Sequence, residues 1–152
     1  MKPLQPDTLI RNPNGTPILA SIVVPCEAAR LWTLVGNFAA FDAFIPGLSR
    51  IEMTGAGVGA LRTKFFDDGH CVVEQLNSRD DAAMSMTWTT LYNTFGIAQF
   101  WAAMSVQALG ANSSRATWTL VGEPLATTQV EFEAFVQAFA DSALQNVRRM
   151  LG

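Results

Sequence analysis

The spacing of apolar and polar positions changes character three times along this chain. Residues 18–24 (Ile-Leu-Ala-Ser-Ile-Val-Val) are dense in β-branched side chains and end at Pro25, which predicts a strand. Over residues 27–35 the apolar positions Ala28, Leu31, Trp32 and Val35 fall three and four apart, the spacing of a short helix. Gly36 and Asn37 stop it, because both tolerate the left-handed conformation common at helix C-termini. A second helical turn is expected over residues 39–44, ahead of the break at Pro46-Gly47.

From residue 48 to 121 the rhythm is that of strands, punctuated by turn clusters at 55–59, 67–69, 78–81, 93–96 and 110–114. Such regular punctuation predicts a six-strand antiparallel meander, which brings the sheet to about seven strands. In one strand Met84, Met86 and Trp88 take one face, and Ser85, Thr87 and Thr89 the other. In the next, Phe100, Ala102, Met104, Val106 and Ala108 share a face opposite Trp101, Ala103, Ser105 and Gln107. An apolar sheet face must be covered. On the other face, an exposed Trp101 beside Ala103 would mark a homodimer surface.

The cover is a predicted C-terminal helix. Thr127 and Thr128 offer capping hydroxyls, Glu131 and Glu133 stand in the first turns, and Arg148-Arg149 in the last, which suits the helix dipole at both ends. Phe132, Phe135, Val136, Phe139, Ala143, Leu144, Val147 and Leu151 form one apolar stripe between them. About 24 residues at ~1.5 Å each make a helix of ~36 Å, long enough to cross a sheet. The class is α+β, a curved antiparallel sheet wrapped around a long C-terminal helix, in one domain of 152 residues.

Composition narrows the function classes. Apolar residues make up 49% of the chain and charged residues 15%, against a usual charged share of about 25%. This excess of apolar side chains is what a lined cavity requires. A net charge of −3 without a basic stripe gives no reason to expect nucleic acid. No apolar run approaches the ~20 residues of a membrane-spanning helix. The irregular lead-in, residues 1–15, carries Lys2, Asp7 and Arg11 among three prolines and lacks a signal-peptide core, so a cytoplasmic location is expected. Cys26 and Cys71 are isolated and the chain has one histidine, His70, so neither a metal site nor a cofactor is implied. The glycines at 55, 57 and 59 lack both the Gly-Lys-Ser/Thr ending of a P-loop and a following helix.

The order strand, two short helices, meander, long helix is that of the helix-grip fold. Pro25, Trp32, Phe38 and Pro46-Gly47-Leu48 resemble the opening of the START-like (SRPBCC) superfamily. Gly55-x-Gly57-x-Gly59-x-x-Arg62, Asp68-Gly69, Glu74-x-Leu76, Asp80-Asp81 and Trp118 extend the resemblance, which is strongest toward the polyketide cyclase/dehydrase-like branch. It implies a ligand cavity between sheet and helix, used by carriers, receptors and enzymes alike.

Glu74 is the chief polar candidate, two residues after Val72 in an apolar strand. A two-residue turn at Asp68-Gly69 would place it opposite Thr63. A three-residue loop, Asp67-Asp68-Gly69, would place it opposite Arg62, and this register is preferred because it pairs opposite charges. Two readings of that pair stand: a charged pair at the pocket wall that orients the ligand, or a surface ion pair of little weight. Asp42 occupies the position where plant receptor-like members of the superfamily carry a ligand-anchoring lysine, so the resemblance does not imply a carboxylate-anchored acidic hormone. Met86, Trp88, Phe100, Met104, Phe135 and Phe139 are the expected cavity lining. The function is then binding of a small apolar or aromatic molecule, polyketide-, lipid- or terpenoid-like. The alternative is a cyclase- or dehydratase-like enzyme with Glu74 as acid or base, its pKa set by Arg62 and burial.

Overall fold

The computed structural model describes residues 13–152; residues 1–12, most of the expected lead-in, lie outside the described residues. Strand β1 (Ile18–Val24) leads into helix α1 (Ala28–Val35) and a 3-10 turn (Phe38–Ala43). Six strands follow: β2 (Leu48–Thr54), β3 (Leu61–Phe66), β4 (Cys71–Asp80), β5 (Ser85–Asn93), β6 (Ile97–Gly110) and β7 (Ser113–Pro124). Helix α2 (Gln129–Leu151) closes the chain.

The strands form one antiparallel sheet in the order β1-β7-β6-β5-β4-β3-β2. The first strand returns beside the last, with Ile18 opposite Leu120, while α1 and the 3-10 turn carry the chain across to the other edge. The curved sheet and its long helix are the helix-grip architecture. On the inner face Leu76, Met86, Trp88, Met104, Trp118 and Leu120 pack with Phe132, Val136, Ala140 and Leu144 of α2 and with Phe41 and Phe44 of the 3-10 turn.

Helix α2 begins where its chemistry places it. Thr128 Oγ1 accepts the Glu131 amide at 3.1 Å, a cap worth about 1 kcal/mol. Arg148 and Arg149 occupy the last turn. Its 23 residues span about 35 Å. The Asn93 side chain organises the β5–β6 turn, accepting the Phe95 and Ile97 amides through Oδ1 and donating to the Ile97 carbonyl through Nδ2.

Three local expectations are corrected. The turn before β5 comes three residues late, because β4 continues to Asp80 and Asp80 Oδ1 accepts the Ala83 amide at 3.1 Å. Met84 therefore lies in the turn, with φ of 53°, and not on the strand face with Met86 and Trp88. Ala108 is exposed, two residues past the buried Val106 at the end of β6. Trp101 is half-buried. Among the described residues no helix is long and apolar enough to cross a membrane, and no group of three or more His, Cys, Asp or Glu could hold a metal ion. Cys26 and Cys71 are free thiols.

Candidate functional site

The site begins with a hairpin. Strands β3 and β4 are joined by Asp67, Asp68 and Gly69, with Gly69 at φ of 92°, a conformation that glycine adopts without penalty. The Phe66 amide bonds to the His70 carbonyl at 2.9 Å, and Arg62 falls opposite Glu74. The three-residue loop is thus the one the chain uses. The two-residue period of β3 then turns Arg62 and Lys64 to the same inner face.

Arg62 Nε donates to Glu74 Oε1 at 2.8 Å, and Lys64 Nζ reaches the same oxygen at 3.0 Å. The Thr90 hydroxyl donates to Glu74 Oε2 at 3.4 Å. Side-chain exposure is 0% for Arg62, 2% for Glu74 and 7% for Lys64, so this is no surface ion pair. The Arg62 guanidinium sits in an aromatic nest, its central carbon 3.8 Å from the Phe38 ring centre, 4.1 Å from Phe41 and 4.9 Å from Trp88. Its Nη1 donates to the Phe38 carbonyl at 2.9 Å, and Nη2 has no hydrogen-bond partner. Cation–π attraction in a desolvated site contributes about 2 kcal/mol and offsets part of the cost of burying the charge.

Burial works to raise the Glu74 carboxyl, but Lys64 and Arg62, by charge and hydrogen bonding, outweigh it and hold it at about 2 against an ordinary 4.5. Burial lowers the Lys64 ammonium, with Glu74 acting in the opposite sense. The cluster holds two cations and one carboxylate.

Glu74 and Lys64 also line a cavity of about 290 Å³ between the sheet and α2. Phe66, Phe95, Ile97 and Phe100 wall it on the sheet side, with Phe135, Val136 and Phe139 on the helix. Gly122 of β7 lets the walls close in. A Cβ there would stand 2.4 Å from Phe132 Cζ and 2.5 Å from Phe100 Cδ2, rings that meet edge to face across it.

Of the expected site residues, Glu74, Phe100, Phe135 and Phe139 line this cavity. Phe135 is 57% exposed. It precedes Val136, which carries the buried stripe, and so turns about 100° away from it. Arg62 lies behind Glu74 and outside the lining. Met86, Trp88 and Met104 are fully buried in close-packed core and do not reach the cavity, because the 3-10 turn folds Phe38 and Phe41 over Trp88. Asp42 is exposed on that turn and outside the lining, since its neighbour Phe41 takes the inward position. Lys64 escaped the sequence reading. Its signal was there, because placing Arg62 inward commits the residue two positions on to the same face.

The chain belongs to the family described as polyketide cyclase / dehydrase and lipid transport, whose model matches residues 18–152. No curated protein matches it. Among solved structures it is similar to a protein of Thermobifida fusca, at 27% identity and a TM-score of 0.79, over 90% of this chain and 93% of that one. It also resembles the Zhui aromatase/cyclase from Streptomyces sp. R1128, at 13% identity and a TM-score of 0.75, over 90% and 93% of the two chains. A START superfamily protein from Mycobacterium smegmatis aligns at 10% identity and a TM-score of 0.79, over 90% and 97%. At these last two identities the likeness concerns the fold.

Proposed function

We propose that the chain works as a single ligand-binding domain that holds a small apolar or aromatic molecule in the cavity between the sheet and α2. The observation that carries this is the cavity itself: about 290 Å³, walled by phenylalanines, with a buried charged floor. Its size is near the lower end of small-molecule pockets, which begin at roughly 300 Å³, and suits a body of one or two rings. Lining by aromatic groups around a few fixed polar ones is the usual composition of such sites. The Arg62–Glu74 contact acts here as a positioning element, holding the floor rigid from behind.

Titration with 2-naphthamide, a neutral two-ring probe, tests the reading by calorimetry or by NMR shifts of the wall residues. Saturable one-to-one binding is expected, and Val136→Phe, which fills the cavity from α2, should abolish it while still melting cooperatively. Absence of saturable binding, or binding unaffected by Val136→Phe, would sink the proposal.

Cyclisation or dehydration of a bound compound is the second reading, favoured by the family's description and by the aromatase/cyclase among the structural relatives. In that version Glu74 is a poor acid. A carboxyl held so far below its ordinary value by Lys64 and Arg62 stays ionised at pH 7. It is also a weak base for the same reason, and catalysis would rest on positioning with Lys64 as the polarising cation. Turnover of a poly-β-ketone by the native protein, lost in Lys64→Met with binding retained, would carry this version.

A further inference from the structure

We propose that the cavity selects a carboxylate-bearing aromatic ligand, and that Lys64 is the residue that receives the carboxylate. This rests on the cavity being the ligand site. The charges of the floor do not balance. Arg62, Lys64 and Glu74 are all more than nine-tenths buried, and two cations there share one carboxylate. Arg62 spends its charge inside the core, on Glu74, the Phe38 carbonyl and three aromatic rings. Lys64, also buried, has fewer partners, with Phe66 as its one ring at 5.8 Å from the ammonium. It stands on the cavity wall with Glu74 as its one ion-pair partner among the described residues, and an ammonium has three protons to donate.

A buried cation in excess is costly unless an anion meets it. A carboxylate entering the cavity would bring the floor to two cations and two anions, and would accept the protons that Lys64 does not give to Glu74. A cationic ligand would face that ammonium, and a neutral one would leave its charge uncompensated. Asp67 and Asp68 are the other charged groups on the lining, and both are exposed at the rim. Asp67 accepts the Ser49 hydroxyl and Asp68 the His70 amide, and water screens both from the floor. The aromatic walls, Phe66, Phe95, Phe100 and Phe139, define the rest of the ligand as a flat apolar body.

The experiment compares 2-naphthoate with 2-naphthamide, the same ring with and without the charge, on the full chain at pH 7. Native protein should bind the acid about tenfold more tightly than the amide. Lys64→Met should erase the preference and bring the two affinities together, while Lys64→Arg should keep it. Equal affinities in the native protein, or a preference that survives Lys64→Met, would overturn the assignment of Lys64. Failure of the native protein to bind either compound would overturn the cavity reading itself. The comparison on native protein decides the matter even if a variant does not fold.

Discussion

Removing the charge of Glu74 and removing that of Lys64 should have opposite consequences, although the two groups touch. At 3.0 Å and 2.8 Å, Glu74 attracts Lys64 and Arg62 with roughly 5–6 kcal/mol each at an effective dielectric of about 20, before the cost of desolvation. Its pKa gives a second measure. A carboxyl held at about 2 instead of 4.5 favours its charged form by about 3 kcal/mol, at about 1.4 kcal/mol per pH unit. Glu74→Gln keeps the shape, removes the anion and leaves two buried cations facing each other, a loss of about 3–5 kcal/mol. For a chain of this length that lowers Tm by roughly 6–20 °C.

Lys64→Met, in contrast, leaves one cation with one anion. It gives up one attraction but also the several kcal/mol needed to strip water from an ammonium, and the two nearly cancel. Its Tm should be unchanged or higher. Thermal and urea denaturation of the three proteins at pH 7 measure this directly. A Glu74→Gln protein melting within a degree of the native one, or a Lys64→Met protein losing as much as Glu74→Gln, would refute the charge count.

The pH dependence follows from the same carboxyl. Its pKa is depressed on folding, so its contribution is present above about 4.5 and lost as pH falls through about 2. The stability gap between native and Glu74→Gln proteins should therefore shrink steadily between pH 5 and pH 2 in urea titrations. Gly122→Ala forces a methyl against the Phe100 and Phe132 rings and should cost about 1–3 kcal/mol by denaturation, with weaker binding of 2-naphthamide because a cavity wall moves. Thr128→Ala deletes the α2 cap and should cost about 1 kcal/mol without affecting ligand affinity, a difference that calorimetry resolves.

Much of this molecule is legible in local chemistry. The spacing of Ala28, Leu31, Trp32 and Val35 marks α1, the Thr128 hydroxyl and the paired arginines bracket α2, and the turn clusters divide the meander. These are short-range preferences, and the fold shifted them at one place, the turn before β5, where β4 runs on to Asp80. The Arg62–Glu74 register was legible too, because a glycine able to take a positive φ follows two aspartates at the right distance from both charges.

The cavity belongs to tertiary structure. No periodicity separates Phe100 and Phe139, which face the hollow, from Trp88 and Met104, which face packed core, since both pairs lie on the same apolar faces. The difference is made by the 3-10 turn, whose Phe38 and Phe41 fill one end of the space under the sheet and leave the other end open. That turn is some twenty residues upstream of the charges it shelters, so the partner of Arg62 that makes its burial tolerable is invisible to any local window. Whether a charge at a given strand position meets water or an aromatic ring depends on what the chain lays over it, and only the folded chain answers that.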